Sequence, residues 1–166
     1  SVAGGNRQGW FGWEWYENDS VGRLFFDGEP NLGISLDYEL AFTAFQQCAV
    51  SPQDSAANLC LYQQALMKES GGPGLMRDPI EALNLFTKSH ERGNYTASAK
   101  LADIYRTGAL GVGVNFQLAG EFAIAAVERG NRWAAERLAM QYMNGQGVPK
   151  DTEKASYFFT LLSNIM

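Results

Sequence analysis

The side chains with the widest chemical range in this 166-residue sequence are two cysteines and a single histidine. Cys48 and Cys60 could form a disulfide, and His90 could take part in acid–base catalysis. A zinc site built from three histidines is excluded because the sequence has only one. A Ser-His-Asp triad would have to include His90. We instead expect His90 to lie in the last turn of a helix, where partial positive charge is favourable.

Other patterns that suggest chemistry have simpler structural explanations. The carboxylate pairs Glu14/Glu17 and Asp37/Glu39 lie near the N-terminus or at a predicted helix start, where they cap helices or stay in solvent. The glycine-rich stretch 108–113 follows a predicted helix rather than a strand, and it lacks the Lys-Ser/Thr ending of a nucleotide loop. We therefore predict no catalytic residue, no metal site and no cofactor, and we expect that the protein is not an enzyme.

The two cysteines lie on either side of a predicted turn. Cys48 ends one predicted helix and Cys60 begins the next, with Asp54 midway between them. An antiparallel helical hairpin would bring them face to face, within the Cα–Cα range of about 4.4–6.8 Å that a disulfide needs. The alternative is two buried free thiols that act as small apolar residues.

The composition indicates a folded chain whose partner is not a nucleic acid. Apolar residues make up 46%, and the net charge is −5, which disfavours binding to a phosphate backbone. No stretch approaches the roughly 18 apolar residues of a membrane span. One charged group is expected to form a solvated helix surface of mixed sign: Arg129, Arg132 and Arg137 with Glu128 and Glu136.

A repeat dominates the second half of the sequence. Residues of the same type recur 37 positions apart, namely Gly93/Gly130, Asn94/Asn131, Ala97/Ala134, Leu101/Leu138, Tyr105/Tyr142 and Gly108/Gly145. A period of this size with two helical blocks per unit is typical of an α-solenoid. Because one helix pair cannot bury its own apolar face, neighbouring pairs must stack into a continuous core.

The predicted secondary structure is all-α. Apolar residues at helical spacing, together with capping residues such as Asp37 and Asp78, place helices at 37–49, 56–69, 79–91, 95–106, 115–128, 132–143 and 152–163. No convincing strand pattern is present. The last predicted helix should act as a cap, with Phe158, Phe159, Leu161 and Leu162 packed inward and Lys154 and Ser163 outward.

The repeat resembles the Sel1-like repeat, a longer relative of the tetratricopeptide repeat. The resemblance is carried by Ala125-Ala126-Val127-Glu128-Arg129-Gly130-Asn131, Ala134, Leu138, Tyr142, Gly145-Gln146-Gly147-Val148-Pro149-Lys150-Asp151 and Ala155. It covers residues 19–163, is strong over 79–155 and is weak before 37. The unit before this one departs from the pattern at 111–115, with one extra residue and Asn for Asp. The resemblance implies a repeat domain over 19–166 that presents a binding surface.

The same resemblance bears on the cysteines and on the cellular compartment. The positions of Cys48 and Cys60 are similar to the intra-repeat disulfide of cysteine-rich Sel1-like proteins, which implies that they are paired. A disulfide indicates an oxidising compartment, so the protein is expected to be periplasmic or secreted in a bacterium rather than cytoplasmic.

The N-terminal residues 1–18 are expected to be a flexible arm with a dense aromatic segment. Trp10, Trp13, Trp15 and Tyr16 could anchor a partner, since Trp and Tyr dominate binding hot spots. The alternative is that these rings cap the apolar end of the first helical pair. The segment also resembles the N-terminal region of some periplasmic conjugation proteins.

These features predict a non-catalytic scaffold or adaptor that binds a protein or peptide, in a bacterial envelope assembly such as a secretion or conjugation system. One alternative is a peptidoglycan-associated or β-lactam-binding protein, as the resemblance to cysteine-rich relatives implies. Another is a cytosolic regulatory repeat module, which would require reduced cysteines. The sequence leaves the oligomeric state open.

Overall fold

The structure, a computed structural model, describes residues 37–50 and 55–164. This part of the chain contains seven α-helices and a short 3-10 helix, Ala109–Gly111. It has no strand beyond an isolated bridge between Gly72 and Leu75. The α-helices are α1 (Tyr38–Cys48), α2 (Ser55–Ser70), α3 (Pro79–Glu91), α4 (Tyr95–Thr107), α5 (Phe116–Glu128), α6 (Arg132–Asn144) and α7 (Thr152–Asn164).

The all-α fold class is confirmed, and each predicted helix agrees with the structure to within one residue at either end. For every helix except α2, local capping explains this agreement, because Asp or Asn precedes the first turn and its side chain accepts a hydrogen bond from a backbone N–H there. Such bonds join Asp37 to Leu40, Asp78 to Glu81, Asn94 to Ala97, Asn115 to Leu118, Asn131 to Ala134 and Asp151 to Lys154.

Two compact units make up the chain, Ser1–Arg77 and Asp78–Met166. The predicted boundary between an arm at 1–18 and a repeat domain from 19 lies outside the described residues. So do Trp10, Trp13, Trp15 and Tyr16, and their role as anchor or cap stays a prediction.

In the first unit, α1 and α2 form an antiparallel hairpin. The Lys68 ammonium lies 4.7 Å from the centre of the Phe42 ring, and the Gln64 amide donates to the Phe45 carbonyl oxygen at 3.0 Å. Residues earlier in α2 therefore contact residues later in α1, so the two helices run in opposite directions. Gln64 is buried, so this hydrogen bond offsets the cost of removing its amide from water.

A disulfide joins Cys48 and Cys60 in this hairpin, with the two Cα atoms 6.0 Å apart. Cys48 is the last residue of α1 and Cys60 lies in the second turn of α2. Both residues are completely buried. The bridge therefore joins the two helices at the end of the hairpin where the chain passes from α1 to α2.

In the second unit, the repeated small residues are the points where helices pack. Ala82, Ala97, Ala119, Ala134 and Ala155 are all buried, which allows helix backbones to approach closely. The repeated leucines Leu101 and Leu138 are also buried, one in each of two successive repeats. The alanines and leucines that recur with the 37-residue period are therefore residues that form the core.

The last described helix, α7, packs against α6. Phe158 is buried and its ring stacks on the Tyr142 ring, with centroids 5.8 Å apart. Phe159, Leu161 and Leu162 are half-buried against the same core, while Lys154 and Ser163 are exposed. This inward and outward distribution is the one that the sequence predicts.

Several turn residues of the second unit have the left-handed conformation, with positive φ, and most of them are glycines. Gly145 ends α6 with φ of 68°, and Gly147 follows with φ of 76°. The residue 37 positions before Gly147 is Leu110, which adopts φ of 57° without being glycine. A non-glycine residue in this region costs roughly 1–2 kcal/mol. The strain lies in the turn region before α5, where the sequence departs from the repeat pattern.

We expect opposite effects from adding a methyl group at two glycines. Gly145→Ala should lower the free energy of unfolding by about 1–2 kcal/mol, because alanine is strained at positive φ. Gly120→Ala should raise it by about 0.5–1 kcal/mol, because Gly120 lies inside α5 and its added Cβ would meet nothing within 4 Å. Urea denaturation of the three proteins measures both effects. Equal shifts of the same sign would contradict the backbone argument.

We expect the disulfide to contribute measurably to the stability of the first unit. Replacing both Cys48 and Cys60 with alanine should lower its free energy of unfolding by about 3 kcal/mol, since the bridge closes a loop with a sequence separation of 12. Thiol titration after denaturation of the wild-type protein, purified from its native compartment, is the direct test of pairing. Two titratable thiols there would show that the bridge is absent in the cell.

Candidate interaction site

A cleft lies between α4, α5 and α6, entirely within the second unit. Its floor is made of small or buried residues, and polar side chains stand along its rim. The narrow part has a volume of about 20 Å³, which is space for about one water molecule. Its lining comprises Ala99, Ala102, Asp103, Arg106, Ala119, Ala123, Trp133, Ala134, Arg137, Leu138 and Gln141.

A wider, open cavity of about 540 Å³ lies next to this cleft, and its size is typical of ligand-binding clefts. Arg106, Arg137 and Gln141 line both parts, so the two share a wall. The wider part adds Phe116, Met140, Gln146 and Gly147. We call the two parts together the α4–α6 groove.

Asp103 of α4 holds two arginines at the rim of this groove. Its Oδ1 accepts from Nε of Arg106 at 3.4 Å and from Nη2 at 3.2 Å. Its Oδ2 accepts from Nη1 of Arg137 on α6. One carboxylate thus serves two guanidinium groups, and the cluster carries a net positive charge in a chain whose net charge is −5.

Trp133 lies beside this cluster, one turn before Arg137 on α6. The guanidinium carbon of Arg137 is 4.5 Å from the centre of the indole ring, which is cation–π geometry. Even so, 57% of Trp133 remains exposed to solvent. Tryptophan and arginine are both among the residue types enriched at binding hot spots.

A second polar cluster lies at the junction of α3, α4 and α5. His90 Nδ1 is 2.8 Å from Ser98 Oγ. Arg129 Nη1 donates to the His90 carbonyl oxygen at 2.9 Å and to Ser98 Oγ at 3.1 Å. The His90 ring also meets the Phe122 ring edge to face, with centroids 5.0 Å apart.

This serine–histidine pair is not arranged for nucleophilic catalysis. Ser98 is 0% exposed, so a substrate cannot reach it, and its hydroxyl lies 3.1 Å from the Asn94 carbonyl oxygen, to which it donates. The third member is the Arg129 guanidinium, where a triad requires a carboxylate. Burial lowers the pKa of His90 first, and the positive charge of Arg129 lowers it further, against a smaller opposing effect of Glu91.

The structure corrects one prediction about charged residues. Arg129 and Arg137 were expected to form part of a solvated surface; Arg129 is exposed and Arg137 is partly buried, and each also crosses to another helix and binds polar groups there. Arg137 is partly buried because it falls on the side of α6 that meets α4 of the preceding repeat. Arg132, Glu128 and Glu136 are exposed as predicted.

Sequence reasoning did not single out Asp103, Arg106 or Trp133. One signal was available, because Trp133 is the only tryptophan outside the N-terminal aromatic segment and Arg137 follows it at i+4. Asp103 and Arg106 also stand at i,i+3. The pair Trp133/Arg137 and the pair Asp103/Arg106 lie in different repeats. No short-range pattern in the sequence indicates that they are in contact.

Two further observations concern the described ranges 37–50 and 55–164. No group of three or more His, Cys, Asp or Glu side chains there could hold a metal ion. No helix in these ranges is long and apolar enough to cross a bilayer.

Stacked helix pairs with a continuous core and an open groove define a helical repeat protein. The chain belongs to the Sel1 repeat family, whose model matches residues 54–94, 96–131 and 134–164. With these boundaries, α4 and α6 are the first helices of two successive repeats, and they are the helices that Asp103 and Arg137 connect. Sel1 repeat proteins act as protein-interaction scaffolds, and the fold is typically non-catalytic.

One curated relative is cytochrome c oxidase assembly factor 7 from Xenopus tropicalis, 26% identical over 125 residues. The match covers 74% of this chain and 53% of the relative, so the chain spans about half the length of that protein.

Among solved structures, a Sel1 repeat protein from Oxalobacter formigenes has a TM-score of 0.72 at 24% identity, covering 90% of this chain and 58% of that one. The immunity protein Pa5087 from Pseudomonas aeruginosa has a TM-score of 0.54 at 16% identity, covering 91% and 68%. At these identities the likeness shows the shared α-solenoid fold alone.

We expect His90 to make stability depend on pH. Because its pKa is lowered in the folded protein, the unfolded state binds the proton more readily, and stability should rise with pH up to about 6.5, the ordinary pKa of a histidine. Melting temperature should therefore fall more steeply between about pH 7.5 and about pH 5.5 in the wild type than in His90→Gln. The comparison is clean because no other histidine titrates. Parallel curves would show that His90 is not coupled to folding.

Proposed function

We propose that this protein is a non-catalytic scaffold that holds a protein or peptide partner in the α4–α6 groove, as part of a bacterial envelope assembly such as a secretion or conjugation system. The observation that carries the proposal is the exposed Trp133, whose ring is stacked with an arginine that Asp103 fixes from the neighbouring repeat. This is a preordered aromatic anchor at the edge of the narrow part of the groove. Preordering lowers the entropy that binding would otherwise cost.

The compartment in this proposal rests on Cys48 and Cys60. Disulfides persist in oxidising compartments and are rare where thiol reductants are abundant. A fully buried bridge between two helices supports a periplasmic or secreted location. Fractionation of the native host, with detection of the protein in the periplasm or medium, tests it, and recovery in the cytoplasm would contradict it.

The relative that is a cytochrome c oxidase assembly factor supports the broader idea that a chain of this kind assists an assembly. A β-lactam-binding or peptidoglycan-directed role would require a nucleophile in an open pocket. The serine that lies next to the histidine, Ser98, is fully buried. The scaffold is therefore the better-supported proposal.

We expect Trp133 to be the anchor of partner binding. A photoreactive phenylalanine analogue at Met140, inside the groove, should form adducts with a partner in the native envelope. The same group at the exposed Glu153, which lines neither part of the groove, should form none. Trp133→Ala should reduce adduct yield at least tenfold, since a hot-spot aromatic contributes about 2 kcal/mol or more.

The matched control is Tyr157→Ala, which removes an aromatic ring that is 62% exposed and lies outside the groove. Its adduct yield should equal that of the wild type. If both alanine variants bind equally well while their melting temperatures match the wild type, the groove is not the binding surface. The N-terminal Trp10, Trp13 and Trp15 would then be tested in the same way.

A further inference from the structure

The two arginines of the α4–α6 groove share a single carboxylate. Arg106 uses two N–H groups on Asp103 Oδ1, and Arg137 uses one on Oδ2. Their remaining N–H groups have no other partner among residues 37–50 and 55–164. Both arginines line the wider part of the groove. The cluster therefore presents unused, positively charged donors to whatever enters.

Guanidinium groups bind carboxylates well because their planar fork matches two oxygens at once. The side chains of Arg106 and Arg137 are about one-third exposed, at 33% and 35%. They are thus reachable from solvent, yet a bound ligand would cover them and strengthen the contact by excluding water. A second carboxylate could bind to both without displacing either arginine from its helix.

Apart from the arginine cluster, the groove is lined by apolar side chains together with Gln141 and Gln146. Phe116 and Met140 line the wider part and are about half exposed, and Trp133 lies beside the narrow part. The Phe116 ring is fixed against Gly147, where even an added Cβ would come within 2.9 Å of it. A ligand that combines a carboxylate with an adjacent apolar side chain would match both the arginine cluster and these apolar side chains.

We propose that the α4–α6 groove takes an acidic peptide segment, in which an Asp or Glu carboxylate binds to Arg106 and Arg137 while a neighbouring apolar side chain packs on Trp133, Met140 and Phe116. This inference rests on the proposed scaffold function and specifies the chemistry of its partner. A nucleic acid is disfavoured as the occupant, because Asp103 stands at the centre of the cluster and the chain carries a net charge of −5.

Replacing Asp103 tests the proposal, because the proposal and a purely structural role predict opposite changes in peptide affinity. Asp103 competes with an incoming carboxylate for both guanidinium groups. Asp103→Asn removes the competing charge with little change in shape, so it should tighten binding of an acidic peptide several-fold. A purely structural role for the cluster predicts the opposite, because Asp103→Asn would then loosen the groove and weaken binding of every peptide.

The experiment is selection of peptides from a random linear library displayed on phage, with the intact protein as bait. Peptides selected by the wild type should be enriched in Asp and Glu next to apolar residues. A labelled selected peptide and its Asn/Gln analogue then give dissociation constants by fluorescence anisotropy. The analogue should bind roughly tenfold or more weakly, and raised salt should weaken only the acidic peptide.

The variants separate local from general charge effects. Arg106→Gln with Arg137→Gln should weaken the acidic peptide roughly tenfold or more. The control pair Arg132→Gln with Lys150→Gln removes the same total charge at exposed positions that line neither part of the groove, and it should change little. Arg106→Lys with Arg137→Lys keeps the charge if the Gln pair fails to fold, and it should give an intermediate loss.

Three outcomes would overturn the inference: no acidic enrichment, weaker binding by Asp103→Asn, or tighter binding of a labelled thymidine oligonucleotide than of any selected peptide. Selected peptides that lack acidic residues but lose affinity in Trp133→Ala would overturn it while leaving the scaffold proposal in place. Acidic peptides whose binding ignores all groove variants would overturn both.

Discussion

The second unit depends on one constraint, namely that none of its helix pairs can bury its apolar face alone. The core that solves this draws on four successive helices, α4 to α7, and consists mostly of small residues. Its buried members are Ala99, Ala123, Ala126, Val127, Ala134, Ala135, Leu138, Ala139 and Phe158. Alanine contacts allow helix backbones to approach closely, so the relative position of two repeats is fixed tightly. The same packing also sets the positions of the side chains that border the core.

The groove is a consequence of that packing. Leu138 must point into the core, so its neighbour Arg137 falls at the border of the α4–α6 contact, where it can reach Asp103. Trp133 lies four residues before Arg137, on the same side of α6. It therefore stacks against the arginine without being drawn into the core, and keeps 57% of its surface in water. The proposed binding surface therefore lies at the margin of a core contact. The packing of the core positions its side chains, and no additional structural element is needed.

The sequence was sufficient for the helices and their ends, because capping by Asp or Asn and apolar spacing act within a few residues. It was not sufficient for the polar clusters. Asp103 and Arg137 are 34 residues apart, and His90 and Arg129 are 39 apart. The rotation of a helix about its own axis decides which of its arginines faces the preceding repeat. The apolar pattern defines this rotation only coarsely. Arg132 and Arg137 look alike in the sequence, yet one is exposed and the other crosses to α4.

The two polar clusters differ in burial, and burial decides what each can do. In the cluster of His90, Ser98 and Arg129, the serine is fully buried and its oxygen is already shared among neighbours. A ligand could enter only by breaking these bonds, so this cluster links α3, α4 and α5. In the groove, Arg106 and Arg137 keep about a third of their surface in solvent and have donors left over. Arg129 is itself exposed, but its Nη1 is taken up by His90 and the buried Ser98, whereas the arginines of the groove surround a carboxylate that is 30% exposed and that a ligand can approach.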